Sequence, residues 1–308
     1  MNEPRPKNLS LLEIIAQKDE EIRRLRNEIE QRDAIYRDLA EVTAEDARRV
    51  TGVLQDLGDD LGDAFRFQRA ILPVLPTVAG FWVEAAYLPA SIVSGDIYDV
   101  AVVRVSDRRT LRVFVADATG HGVAAALATM FLKSEYESIK RTAETPFDAL
   151  TVMNERLVGT YDNMQLRFTA VCMDVDLVTK VASYACAAHP APIVMRGDTY
   201  AELETGGTFM GITRDPDFFA ASHLMDPGDR IVLASDGAID PMTEKGEELG
   251  SGGLVGLLRS PSDGTSLTKA LEALVRDRTG GRIPDDLTVV TVALLRENRR
   301  RSVRPGMP

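Results

Sequence analysis

DIYDVAVVRVSDRRTLRVFVADATGHG, residues 96–122, sets two apolar, β-rich runs at 100–105 and 110–116 on either side of the polar Ser106-Asp107-Arg108-Arg109. Strands joined by so short a polar link pair as an antiparallel hairpin. The same grammar returns at 168–176 and 181–187, and isolated strand-like runs follow at 230–234 and 287–295. Helical spacing predicts two helices between the pairs, at 123–140 and 146–160, the second opening on Pro146 where a missing N–H costs little. Directly joined strand pairs with grouped helices point to an α+β fold rather than a doubly wound parallel sheet. The expectation is a two-sheet antiparallel β-sandwich flanked by helices.

Two stretches upstream of residue 77 read as helical. Between Leu11 and Leu39 apolar residues recur three and four apart, with Ile15, Ile22, Ile29 and Tyr36 on one row and Leu11, Leu25 and Leu39 on the other. Ile on the first row with Leu on the second favours a parallel two-stranded coil, with Glu21 placed to pair with Arg26 of the partner. Lys18 and Arg32 interrupt the seam, as does the like-charged pair Glu28 and Asp33. A second helical stretch covers 44–72, with Val50, Leu54, Leu57, Leu61 and Phe65 at helical spacing, before Pro73 and Pro76 stop it. The expected organisation is a coiled-coil arm at 1–43, a helical linker at 44–76, a globular domain at 77–296 and a disordered basic tail at 297–308.

The chain of 308 residues carries 36 Lys+Arg against 47 Asp+Glu, a formal charge of −11, which argues against nucleic acid or an anionic membrane as partner. Cys172 and Cys186 both lie in apolar runs and read as buried thiols, as a reducing compartment permits. No apolar run reaches the roughly 20 residues that a membrane helix needs, and MNEPRPKNLS lacks the apolar core of a signal peptide. A cytoplasmic protein is expected.

Four acidic signatures sit far apart beside strand-like runs: Asp96 in SGDIYD, Asp117 in VADATGHG, Asp236 in ASDGAID, and Asp285-Asp286 in PDDLTVV. Apolar strands deliver Asp117 and Asp236 to their ends, where an unpaired carboxylate is rarely buried. The adjacent Asp285 and Asp286 repel one another unless a cation or donor compensates. Hard cations take oxygen ligands, so carboxylates gathered this way suit a two-metal nest for hydrolysing a phosphate ester. Asp99 is a further acidic candidate. His121, between two glycines near Asp117, could give a proton to a leaving oxygen. The three histidines, His121, His189 and His223, are too far apart for a compact zinc motif.

In order, FRFQRAILPVLP, AAYLPASIVSGDIYDV, VFVADATGHGVAAALATMFLKS, FTAVCMDVD, SYACAAHPAPIVMR, MDPGDRIVLASDGAID and PDDLTVVTV resemble the PPM-type serine/threonine phosphatases. The likeness is to the bacterial branch typified by stage II sporulation protein E and RsbU, and it runs from about 65 to 295. It implies a β-sandwich with two Mn²⁺ or Mg²⁺ ions at one edge. Asp117 would bridge them, Asp96, Asp236 and Asp285 would complete the carboxylates, and the Ala118 carbonyl would add a ligand. Asp286 stands next to the last of these, and either Asp285 or Asp286 could be the direct ligand, with Asp285 preferred. A cation-activated water would attack phosphorus with no covalent enzyme intermediate.

The implied substrate is a phosphoserine or phosphothreonine on an anti-anti-sigma regulator of the STAS type. Regulation would pass through the N-terminal helices, by an activating protein or by repacking of a homodimeric coil. This chain departs from the pattern at Ser94, where Gly is usual, at Thr119 for Ser, at Ala188 for Gly and at Asp240 for Glu. The alternative is a catalytically weak phosphatase-like module that acts as a dimeric phosphoprotein-binding scaffold.

Overall fold

The computed structural model describes residues 11–120, 122–160, 166–240, 249–259 and 266–296; His121 and the 297–308 tail lie outside them. The chain divides into two units, Met1–Asp60 and Leu61–Pro308. Helix α1, Leu11–Ile71, begins in the first and ends in the second. The stretches expected at 11–39 and 44–72 are therefore one helix, since neither Pro nor Gly stands near residues 43 and 44 to break it. In the first unit the seam residues Leu11, Ile15, Ile22, Leu25, Ile29, Tyr36 and Leu39 are 46% to 75% exposed, so this face is uncovered by the chain itself. Lys18–Glu21 at 2.5 Å and Arg24–Glu28 at 3.1 Å are exposed pairs along the helix, each worth a few tenths of a kcal/mol.

The second unit is a four-layer α/β/β/α stack. One sheet has the order β1-β10-β9-β6-β7, built from β1 (Phe81–Leu88), β6 (Ile193–Arg196), β7 (Thr199–Glu202), β9 (Asp229–Ala234) and β10 (Leu287–Leu294). The other has the order β2-β3-β4-β5-β8, from β2 (Asp96–Val105), β3 (Arg108–Ala118), β4 (Phe168–Asp176), β5 (Val181–Ala187) and β8 (Phe219–Leu224). Every pairing between named strands is antiparallel. The hairpin expected around residues 106–109 turns more tightly than that. Only Ser106 and Asp107 lie between the strands, at φ 46° and 66°, the positive values that a two-residue type I′ turn requires.

Alternation along the strands builds three apolar layers. Val113, Val115, Val171, Met173 and Cys186 of one sheet meet Ile231, Leu233, Val290 and Val292 of the other in the central core. Phe114, Cys172 and Ala185 face the opposite way, under α2 (Val123–Ile139) and α3 (Pro146–Thr160). Val232, Ala234 and Val289 lie under α4 (Gly250–Arg259) and α5 (Leu267–Arg278). Thr145 and Asp148 close the start of α3 reciprocally, through Thr145 N–H to Asp148 at 3.0 Å and Asp148 N–H to Thr145 Oγ1 at 3.1 Å.

An ionic layer lies beneath α2. Asp99 accepts from Lys133 and, at 3.3 Å, from Lys140, so it is committed to the helix and not to the other acidic motifs. Arg112 is fully buried and forks onto Asp174 at 2.7 and 2.6 Å, while its remaining nitrogen donates to the carbonyls of Lys140 and Ala143, both at 2.9 Å. Burial works against that guanidinium charge, but the Asp174 bonds outweigh it and raise its pKa.

Candidate active site

All four acidic motifs arrive at one edge of the sandwich. Asp96 opens β2 and Asp117 lies near the end of β3, directly opposite it in the register. Asp236 follows β9 at the start of a single 3-10 turn, Asp236–Ala238, and Asp285-Asp286 precede β10. The two sheets are joined here by Ser235, whose hydroxyl donates to Asp96 Oδ2 at 2.7 Å and accepts from Thr288 N–H at 2.9 Å. A cavity of about 630 Å³ opens at this edge. Asp117, Ala118, Thr169, His189, Asp236, Asp240 and Asp285 are among its lining residues.

Close packing of backbone gathers the motifs. A side chain on Gly237 would strike the Asp286 carbonyl, and a Cβ on Gly95 would stand 3.2 Å from Ala125 Cβ and 3.5 Å from Asp286 Oδ2. Ser94 fits without strain, since its hydroxyl accepts from Asp96 N–H at 3.0 Å. Ala188 does not escape so easily. It is held at φ 51°, a left-handed conformation that costs a residue with Cβ about 1 kcal/mol.

The electrostatics are those of crowded negative charge. Burial pushes the Asp117 carboxyl up to about 8, with Asp236, Asp285 and Asp286 adding repulsion. Asp96 is raised well above the usual carboxylate range by burial and then by Asp117, and its Oδ1 is buried without a hydrogen-bond partner. Burial and Asp285 raise Asp236. Burial also raises Asp286, partly offset by its backbone donors. Asp236 and Asp285 each turn one oxygen onto a backbone donor, Asp236 Oδ1 to Gly237 N–H at 2.7 Å and Asp285 Oδ1 to Asp286 N–H at 2.8 Å.

Asp286 is fully engaged. Its two oxygens accept from Ala90 N–H at 2.7 Å and Gly95 N–H at 2.6 Å, so it ties the loop before β2 to the start of β10. Asp285 lines the cavity and Asp286 does not. Among the described residues, no three His, Cys, Asp or Glu side chains stand ready as a metal cage. The donor chemistry nevertheless fits a hard divalent cation. It is all oxygen, it includes an orphaned buried carboxylate oxygen, and the carboxyls resist ionising together until positive charge joins them.

Several contacts around the site lie outside the acidic motifs. Gln68, near the end of α1 and 2% exposed, donates to the Ser94 carbonyl at 2.9 Å and accepts from Ser94 N–H at 3.0 Å, one residue before Gly95. A glutamine in a run of helical spacing reads as solvated, so nothing in the primary structure marks it. Thr169, opposite Asp117 in the register, is bonded to His189 Nδ1 at 2.9 Å. The Ser-Asp-Gly order after a buried strand was a usable signal for Ser235, and the Ala-His-Pro after β5 for His189.

Residues 107–295 match the family Stage II sporulation protein E (SpoIIE). The phosphoserine phosphatase RsbU of Bacillus subtilis is 27% identical over 198 residues, covering 63% of this chain and 58% of that protein. Phosphoserine phosphatase RsbP of the same organism is 24% identical over 164 residues, covering 52% and 40%. The chain thus spans about half the length of the curated relatives it matches. Among solved structures, the SiaA-PP2C domain of Pseudomonas aeruginosa aligns with a TM-score of 0.64 at 23% identity, over 78% of this chain and 97% of that one. The PP2C phosphatase domain of SpoIIE from Bacillus subtilis, solved with a fragment of its regulatory domain, aligns at 0.58 and 21% identity over 69% and 63%. At these identities the structural likeness is one of fold.

Proposed function

The chain belongs to the SpoIIE family of PP2C-type phosphatase domains, and on that premise we propose that it is a protein serine/threonine phosphatase dependent on Mn²⁺ or Mg²⁺. The observation that carries this reading is the convergence of Asp96, Asp117, Asp236 and Asp285 from two sheets, with burial and mutual repulsion raising Asp117 to about 8. Asp117, Asp96, Asp236 and Asp285, with the Ala118 carbonyl, would hold two cations. Such cations, when bound, lower the pKa of water and shield phosphoryl oxygens. Asp286 keeps the loop before Asp96 in place through Ala90 and Gly95.

Ser235 and Thr288 orient the carboxylate of Asp96. In the net reaction, water forms a new bond to phosphorus as the bond to the serine or threonine oxygen breaks. The two water protons end on the freed hydroxyl and the released phosphate. The cavity's open rim suits a phosphorylated loop on a protein surface, and the substrate inferred from the family is a STAS-type anti-anti-sigma factor. Release of phosphate from phosphorylated STAS proteins of the same genome, with Mn²⁺ present and then chelated, tests the reading. No release at any cation concentration would leave the phosphoprotein-binding scaffold in its place.

Regulation is assigned to the N-terminal helix. The uncovered Ile and Leu rows at 11–39 fit a parallel homodimer, and a partner protein acting there would be the activator. No described helix is long and apolar enough to cross a membrane. Within the globular unit, Gln68 is the contact through which the end of α1 reaches the loop carrying Asp96. Gln68→Leu should lower turnover by about tenfold, because the buried Ser94 N–H loses its partner and the Ser94 carbonyl keeps only Thr129 Oγ1 at 3.5 Å. Steady-state kinetics with p-nitrophenyl phosphate measure it; wild-type turnover in this variant would remove Gln68 from the regulatory path.

A further inference from the structure

Beside Asp117 stands a hydroxyl–imidazole pair that the carboxylate chemistry leaves unused. Thr169 Oγ1 and His189 Nδ1 are 2.9 Å apart, both residues line the cavity, and Thr169 faces Asp117 across the β3–β4 ladder. The imidazole is nearly sealed, at 2% exposure. Its backbone is pinned on both sides: the His189 carbonyl accepts from Thr205 Oγ1 at 2.8 Å, and Ala188 N–H donates to the Gly206 carbonyl at 3.1 Å. Such fixation holds the ring against Thr169, at the cost of the left-handed backbone at Ala188.

The direction of the Thr169–His189 bond decides what the hydroxyl offers the cavity. A neutral imidazole has one donor and one acceptor nitrogen, and a hydroxyl has one proton and two lone pairs. Burial lowers the His189 pKa to about 3, so the ring is neutral at physiological pH, and the carbonyl of Ala234 bears on it as an acceptor. Nε2 is buried and makes no hydrogen bond with any described group. Thr169 engages Nδ1, so Nε2 is the nitrogen left to the Ala234 carbonyl, and the proton is assigned to it. With the proton on Nε2, Nδ1 accepts and Thr169 donates to it. No hydrogen bond joins Thr169 to Asp117 among the described residues. The lone pairs of Thr169 Oγ1 are then left to the cavity.

We propose that Thr169 and His189 form a water-orienting pair, in which His189 takes the hydroxyl proton of Thr169 in a hydrogen bond. Thr169 Oγ1 then accepts a hydrogen bond from the water that attacks phosphorus. This rests on the phosphatase reading above. Thr169 takes no proton in the reaction; it aims one O–H of the water away from phosphorus, so that the oxygen lone pair points towards it. His189 is a positioning residue that acts through Thr169.

Two measurements on the 308-residue chain test the pair. In the first, ¹⁵N-imidazole NMR should show His189 as the Nε2–H tautomer, with its Nδ1 resonance moving to that of a free lone pair in Thr169→Val. An Nδ1–H tautomer would overturn the proposal whatever the enzyme does. In the second, with Mn²⁺ and p-nitrophenyl phosphate, Thr169→Val should lower kcat about tenfold, as loss of one oriented hydrogen bond predicts, with KM little changed. Thr169→Ser should restore most of it, and His189→Ala combined with Thr169→Val should be no worse than either alone. Multiplicative losses, or a Ser variant as poor as Val, would count against the pair. Thr169→Val is isosteric and carries the test even where His189→Ala does not fold. A wild type without turnover refutes the phosphatase reading, while an active wild type matched by Thr169→Val refutes the water-orienting role alone.

Discussion

Asp117→Asn is expected to cut phosphatase turnover about a thousandfold and, in the same protein freed of divalent ions, to raise the melting temperature. The first effect follows from losing a carboxylate that, on the proposed reading, would hold the cations, since several kcal/mol of charge stabilisation convert to that factor. The second follows from relieving repulsion. In the fold, burial and then Asp236, Asp285 and Asp286 lift the Asp117 carboxyl to about 8 from an ordinary 3.8. Between those two pH values the folded chain keeps a proton that the unfolded chain has released.

Stability supplied by such a group is complete below about pH 4 and drains away as pH rises through 8. In EDTA the wild type should therefore lose stability from mildly acid to mildly alkaline pH, and Asp117→Asn should flatten that slope. The gain at pH 8 is on the order of 1–3 kcal/mol, or roughly 3–8 °C for a domain of this size. Calorimetry in EDTA across that pH range decides it. A variant that melts lower than wild type would mean that Asp117 is satisfied by its neighbours rather than crowded by them.

Asp174→Ala should destabilise the globular unit by about 3–5 kcal/mol, because removing one partner leaves a buried charge uncompensated. Arg112 is 0% exposed and would keep only the two carbonyls at the end of α2. Replacing the pair together, Arg112→Met with Asp174→Leu, should cost much less than the single change, since apolar groups of similar volume need no desolvation. Urea titration followed by tryptophan fluorescence from Trp82 gives both values. A single variant within 1 kcal/mol of wild type would show that water reaches the guanidinium.

Strand pairs around short polar links were the most legible part of the fold. The limits of β4 and β5 are those that the apolar runs at 168–176 and 181–187 predict. Helix α4 was not legible, because GSGGLVGLLR carries four glycines, each of low helix propensity, and forms where Leu254, Val255 and Leu258 can cover the sheet. Helix α5 was overlooked despite its Ser266 cap and its buried Leu271 and Val275. The aspartates of the site could be seen because each stands at one end of an apolar run, Asp117 and Asp236 after it and Asp96 and Asp285 before it. Gln68 and Thr169 could not, since their roles come from partners 26 and 20 residues away in the chain. Asp99 and Asp286 show the same limit from the other side: they share motifs with Asp96 and Asp285, yet Lys133 claims one and two backbone amides claim the other.

The two thiols lie on opposite faces of one sheet, Cys172 beneath α2 and α3 and Cys186 in the layer between the sheets. Burial raises both thiol pKa values, so neither reacts while the layers are closed. An alkylating reagent can modify Cys172 only when the helices lift away, and Cys186 only when the sheets separate. Mass spectrometry of timed labelling would thus clock the peeling of each layer independently, giving this molecule a native stopwatch for its own partial openings.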